Sequence, residues 1–186
     1  MNLVNLFEIL LSDKPSDLIR SSEDDLFKLI PELENCKGFD QNSKYHIYDV
    51  YEHTLHVVDN VPKKIELRLA ALFHDMGKPS TYFEDENGNG HFPRHWEVSK
   101  KIFDDFANRN NLNKDLANNV SNLIYYHDVD FNKSDNLILD VVEKIGYDNI
   151  SDLFLLKKAD VLAQSADYHY QVKDIEKRYS DFRNGK

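Results

Sequence analysis

The sequence predicts a mostly α-helical bundle with one short β-ribbon or loop near residues 80–93, and three observations lead there. Apolar residues recur at helical spacing through most of the 186 residues: Ile65, Leu69, Leu72, Phe73 and Met76; Leu116, Val120, Leu123 and Ile124; Ile138, Val141, Val142 and Ile145. Only 6 Gly and 5 Pro punctuate the chain, and no linker, low-complexity tract or repeat marks a boundary, so one unit spanning 1–186 is expected. The run Asn87-Gly88-Asn89-Gly90 has hairpin-turn composition and is flanked by Thr81-Tyr82-Phe83 and His91-Phe92.

In chain order, residues 1–45 read as a helical extension, with two short helices around Pro15 and a third ending before Pro31. A helix from about Ile47 to Val61 follows, its inward stripe being Val50, Thr54, Val57 and Val61. Pro62 suits the first turn of the next helix, which Gly77 and Pro79 end. Beyond the ribbon, His95 opens a helix whose Val98, Ile102, Phe103 and Phe106 face the core. Ser134 suits an N-cap, Gly146 a C-terminal stop, and residues 166–186 a polar, charged helix. Seven or eight helices result, with 46–165 as the part that carries the chemistry.

Composition narrows the function. With 23 Lys plus Arg against 33 Asp plus Glu, the formal net charge is −10, which disfavours binding to long DNA, where cations must neutralise phosphates. A nucleotide, another phosphorylated small molecule or an RNA end remains a suitable partner. Apolar runs fall short of the roughly 18–20 residues of a membrane span, and Asn2 to Leu11 lacks the basic region and cleavage site of a secretory leader. No membrane partner and a cytoplasmic location are therefore expected. Oligomeric state is not legible. The single Cys36 cannot supply a thiolate zinc site, so any metal must be held by His, Asp or Glu, and eight His make that feasible.

Two His-Asp dipeptides occur, His74-Asp75 and His127-Asp128, where about one is expected by chance, so position carries the argument. On the helix after Ile47, His53 falls at the edge of the inward stripe, whereas His56 lies about 120° away and reads as a surface or supporting residue. His127 is in line with Leu116, Val120 and Leu123 and points inward. Asp160 follows Leu153 by seven and Leu156 by four, which sets a carboxylate on an apolar face. An unpaired buried carboxylate costs several kcal/mol or is forced to protonate, so Asp160 requires a cation, donors or a metal. His74 and Asp75 stand at a helix end, where both can turn to one ion, and His95 sits at the mouth of the bundle. Together these residues suit a carboxylate-imidazole site of the kind that Fe, Mn, Zn, Co or Ni accepts. His46, His56, His91 and His169 remain alternative ligands, His46 first, because it precedes His53 by seven.

The order His53, His74-Asp75, His95, His127, Asp160, within Val50-Tyr51-Glu52-His53-Thr54-Leu55 and Ala70-Ala71-Leu72-Phe73-His74-Asp75-Met76-Gly77-Lys78-Pro79, resembles the HD-domain superfamily of metal-dependent phosphohydrolases. The similarity runs from near Leu3 to about Asp160. The opening Leu6-Phe7-Glu8-Ile9-Leu10-Leu11-Ser12-Asp13-Lys14-Pro15, with Phe39-Asp40-Gln41-Asn42, resembles the region of bacterial tRNA nucleotidyltransferases that precedes and contains their HD domain. The resemblance implies an all-α HD bundle. It also implies that His53, His74, Asp75 and Asp160 hold one divalent ion (Fe, Mn, Zn, Co, Ni or Mg) and that Asp75 bridges to a second held by His95 and His127. Nothing in the chain resembles the nucleotidyltransferase head, so CCA addition is not expected. Arg94 also stands where relatives commonly have Gly.

The expected function is hydrolysis of a phosphoester of a nucleotide or RNA terminus, as a phosphomonoesterase or 2′,3′-cyclic phosphodiesterase, by hydroxide generated from metal-activated water. Asp75 is expected at the reacting centre, with Lys78 and Arg94 as catalytic cations on the phosphoryl oxygens. Asp128 is a candidate support for a ligand imidazole, and Tyr82, Phe83, His91 and Phe92 either stack on a base or pack onto the bundle. The alternatives are a nucleotidase or dinucleoside polyphosphate hydrolase, a noncatalytic RNA-binding or scaffold module with a structural metal, and a di-iron oxygenase of the kind that some HD-type sites support.

Overall fold

Side-chain caps and prolines in the first turn set where several helices begin. Asn2 accepts the Asn5 N–H in a reciprocal capping box at the head of α1 (Leu3–Leu10), and Pro15 occupies the first turn of α2 (Pro15–Ser21). The chain then forms α3 (Glu23–Leu29) and a single turn, α4 (Pro31–Glu34). Asp49 accepts the Glu52 N–H at 2.6 Å and starts α5 (Val50–Asn60), three residues later than the apolar pattern suggests. These residues come from a computed structural model that describes positions 1–131 and 135–185.

Helix α6 (Ile65–Phe73) is the buried centre, with every residue from Leu67 to Phe73 inside, Arg68 included. Pro62 does not open it. Val61 is held extended before the proline and ends α5, and the Pro62 carbonyl instead closes a turn by accepting the Lys64 N–H at 2.7 Å. Pro79 likewise lies in the first turn of a short α7 (Lys78–Thr81) rather than beyond a helix end. The ribbon pairs β1 (Phe83–Glu84) with β2 (Gly90–His91), antiparallel, Phe83 opposite His91. It is shorter than the flanking sequence suggests, because Thr81 belongs to α7.

Helices α8 (His95–Arg109) and α9 (Lys114–Tyr126) pack against each other and onto α6. Asn113 caps α9 by accepting the Asp115 and Leu116 N–H groups. The Phe73 ring meets Phe103 at 5.2 Å and Phe106 at 5.0 Å, all three fully buried, each contributing about 1.5–3 kcal/mol of apolar burial. Gly146, at φ +83°, separates α10 (Asp135–Ile145) from α11 (Tyr147–Leu162), a left-handed turn that suits glycine. The N-cap expected at Ser134 lies outside the described residues. A 3₁₀ turn at Ala166–Tyr168 leads to the polar α12 (Gln171–Arg183).

The architecture is all-α around α5, α6, α9 and α11, with more and shorter helices than the seven or eight expected. Among the described residues no helix is long and apolar enough to cross a membrane.

Candidate metal centre

Helix ends aim a set of imidazoles at one point. His53 is mid-helix in α5, His74 and Asp75 directly follow α6, His95 is the first residue of α8, His127 directly follows α9, and Asp160 lies near the end of α11. His53, His74, Asp75, His95 and His127 are all buried. Each imidazole turns Nδ1 to a backbone carbonyl: His53 to Ala163 at 3.4 Å, His74 to Ala71 at 2.8 Å, His95 to Phe92 at 2.9 Å and His127 to Ile124 at 2.7 Å. A carbonyl can only accept, so Nδ1 carries the proton and the Nε2 of the neutral ring presents its lone pair inward.

These Nε2 atoms converge on Asp75. His53 and His74 stand 3.5 and 3.2 Å from its Oδ2, His95 and His127 3.3 and 3.6 Å from its Oδ1. The Nε2 atoms of His95 and His127 are themselves 3.2 Å apart. Asp160 closes the other end, its Oδ1 3.0 Å from His53 Nε2 and its side chain 23% exposed. Two overlapping donor groups result, His53-His74-Asp75 and Asp75-His95-His127, each within 4.8 Å. The buried His53 Nε2, His74 Nε2 and Asp75 Oδ1 lack hydrogen-bond partners. Orphaned lone pairs of this kind are costly in a dry interior, and a divalent cation satisfies all of them at once. The donor set therefore fits a metal, in the carboxylate-imidazole chemistry that accepts Fe, Mn, Zn, Co or Ni.

Electrostatics favour the ionised carboxylates. Burial alone raises the Asp75 carboxyl, but the His74 imidazole and the Lys78 ammonium beside it outweigh burial and hold the group well below the ordinary range. Burial is likewise overcome at Asp160 by the neighbouring His53 and His74 imidazoles. His127 is lowered chiefly by burial, which keeps it a neutral donor.

Lys78 belongs to the cluster. Its buried Nζ donates to Asp75 Oδ2 at 2.7 Å and to Gln41 Oε1 at 2.8 Å, and it lies 5.3 Å over the Phe92 ring. Arg94 does not join it. At φ +56°, Arg94 holds the left-handed turn before α8 and its guanidinium pairs with Glu97 at 2.8 Å, on a side chain 72% exposed. The backbone conformation that glycine would adopt freely thus carries the side chain outward.

Of the alternative histidines, His46 alone lies against a ring of the cluster. It sits in the loop before α5, its ring 5.1 Å edge-on to His53, its Nδ1 buried without a partner, and burial pushes it down to about 3. His56 stacks on Tyr48, His91 pairs with Asp85, and His169 approaches the Gln164 carbonyl. Sequence reasoning missed Gln41, a buried amide that donates to the Tyr48 carbonyl and accepts from Lys78, and Lys157, which donates to the His127 carbonyl at 2.8 Å. Gln41 lies in a loop without periodicity, where no pattern could single it out.

A cavity of about 470 Å³ opens beside the cluster, with Lys78, His46 and His95 at its inner side and Lys44, Tyr45 and the ribbon residue His91 at its rim. Asp128 lines it too. Of the ribbon aromatics, His91 and Phe92 line the cavity, Tyr82 packs between Phe39 and Phe92, and Phe83 stacks on His91.

A family model described as HD domain matches residues 44–169. A CC-adding tRNA nucleotidyltransferase of Thermus thermophilus is 40% identical over 79 residues, which cover 39% of this chain and 18% of that protein. The match thus spans less than a fifth of the relative's length.

Proposed function

The chain belongs to the HD-domain family of metal-dependent phosphohydrolases, and from that premise we propose that it hydrolyses a phosphoester of a nucleotide or RNA terminus, as a phosphomonoesterase or 2′,3′-cyclic phosphodiesterase. The observation that carries this reading is the convergence of four imidazoles, each with Nδ1 on a backbone carbonyl, upon one buried carboxylate, Asp75. An RNA end as substrate draws on the likeness to a protein named for adding CC to tRNA.

In this reading His53, His74, Asp75 and Asp160 hold one divalent ion, and Asp75, His95 and His127 a second. A divalent ion in this place supplies a water acidified towards neutrality and positive charge for the phosphoryl oxygens. The chain's own residues do the rest. Carbonyl partners of Nδ1 fix the ring planes, so the donors do not reorganise when the ion arrives. Lys78 brings a cation to the inner side of the cavity, where it can neutralise a phosphoryl oxygen, and Gln41 steadies its amine. Lys44 adds a second cation at the rim, which suits an anionic ligand despite the acidic chain. No side-chain nucleophile is required.

The test is metal analysis of the purified chain beside Asp75→Ala, joined to phosphate release from 2′-, 3′- and 5′-nucleotides and 2′,3′-cyclic nucleotides. One or two ions per chain, with turnover that both a chelator and the substitution abolish, is the expected result. Bound metal without turnover of any member of the panel overturns the hydrolase reading.

A further inference from the structure

A second cavity, about 210 Å³, lies between α11, α12 and the segment after His127. Asp160, whose carboxylate contacts His53, borders this cavity, while Lys78, His46 and His95 border the larger one; Asp128 lines both. Residues of the cluster thus border both cavities, and Asp128 lines each of them.

Their chemistry differs. The larger cavity offers Lys44 and Lys78 against a single carboxylate, Asp128, and suits an anion. The smaller has three carboxylates, Asp128, Asp130 and Asp160, against Lys157 and Arg178. Both cations are engaged with backbone carbonyls, Lys157 with His127 and Arg178 with Phe131, so a further phosphate is disfavoured there. What the smaller cavity presents is an apolar wall, Phe131 stacked on Phe154 at 5.0 Å, together with the amides of Gln164 and Gln171. A flat, uncharged, hydrogen-bonding group matches a wall of this kind. The volume, below the roughly 300–1,000 Å³ of drug-sized sites, suits one nucleoside at most.

We propose that the cavity between α11 and α12 is a second subsite, for an uncharged nucleoside-like group, so that the chain hydrolyses open phosphodiesters carrying an organic group on each side of phosphorus. The reaction rests on the phosphohydrolase reading above. A phosphomonoester has one organic arm and leaves the second cavity idle; a diester fills both. In that reaction a water oxygen bonds to phosphorus, the bond from phosphorus to one ester oxygen breaks, and the departing alkoxide takes a proton, giving a phosphomonoester and an alcohol. No redox partner is needed.

The experiment titrates adenosine into the full ¹⁵N-labelled chain and compares turnover of adenylyl-(3′→5′)-adenosine with that of 3′-AMP. Adenosine is expected to shift the side-chain amide signals of Gln164 and Gln171, and Ile175→Trp, which fills the cavity, to abolish those shifts. The dinucleoside-to-mononucleotide turnover ratio is expected to fall at least tenfold in Ile175→Trp and in the milder Gln164→Ala. Absent amide shifts, or a ratio that neither variant changes, overturns the proposal. Should no phosphoester turn over, the phosphohydrolase reading fails by itself, and the adenosine titration still decides whether the cavity is a nucleoside site.

Discussion

Lys78 Nζ stands 2.7 Å from Asp75 Oδ2, so the carboxylate on which four imidazoles converge already has a resident cation. The amine is 7% exposed and shares its protons with Gln41, which gives it a second acceptor to retreat to when Asp75 is claimed by a metal. Removing one partner of a buried ion pair typically costs about 3–5 kcal/mol, because the other charge is left uncompensated.

Lys78→Met is therefore expected to lower the stability of the metal-free chain by about 3 kcal/mol while tightening Mn²⁺ binding about tenfold, as the competing positive charge is gone. Urea unfolding and calorimetric titration with Mn²⁺ read the two effects separately. A variant that binds Mn²⁺ more weakly would show that Lys78 supports the ion rather than competing with it.

The two donor groups share Asp75 but are otherwise distinct, which predicts separable losses. His127→Gln is expected to remove one ion per chain and leave the group of His53, His74 and Asp75 able to hold the other, whereas Asp75→Asn removes both. Metal content by plasma mass spectrometry of the two variants, purified side by side, distinguishes the cases. Equal loss in both would mean a single shared ion.

Gly77 lies where the turn after Asp75 crosses the start of α8. A Cβ there would stand 2.3 Å from the His95 carbonyl oxygen and 2.8 Å from the Ser99 nitrogen, both backbone atoms that cannot swing aside. The Gly77 N–H also donates to Ser99 Oγ at 2.8 Å. Gly77→Ala is expected to cost about 1–3 kcal/mol through overpacking and to weaken metal binding by displacing His95 from Asp75. Thermal melts with and without Zn²⁺ check this, the metal-induced rise in Tm being smaller than in wild type.

Helical period explains what was legible beforehand. The phase of α5 and the stripe of α9 placed His53 and His127 inward, and Asp160 stood out as a carboxylate on an apolar face, because neighbours three and four apart share a face whatever the tertiary fold. The ribbon was legible from its turn residues. Where backbone leaves the regular helix, periodicity no longer fixes the direction of a side chain. His46 reaches the cluster from a loop rather than from the same helix face as His53, since Asp49 starts α5 after it. The charge of Arg94 suggests a role at the pocket, but its left-handed φ decides where the guanidinium goes. Gln41 is positioned by long-range bonds to Lys78 and the Tyr48 carbonyl that no local pattern encodes.

Among the ties between the N-terminal helices and the part that carries the site is the Asp59 carboxylate, and its titration gives the last prediction. Asp59, in α5, accepts the Ser16 N–H at 3.1 Å and Ser16 Oγ at 2.7 Å, and pairs with Lys14. Burial alone raises its carboxyl, but Lys14 and the Ser16 hydrogen bonds outweigh that and set it below the ordinary 3.8. A carboxyl lowered on folding contributes stability that is complete above its unfolded value and is lost as pH falls through the folded one. Asp59→Asn keeps an acceptor for Ser16 but loses the charge, and is expected to cost about 1–2 kcal/mol at pH 7. The gap between wild type and variant should hold from pH 7 to about 5, begin to shrink below about 4, and close only as pH falls through the lowered value of the folded carboxyl. Urea unfolding of both chains at each pH measures the gap directly, and the comparison cancels the acid sensitivity of the histidine cluster, which the two chains share. A gap that persists undiminished at pH 3 would mean that α2 is held to α5 by packing and neutral hydrogen bonds rather than by the Asp59 charge.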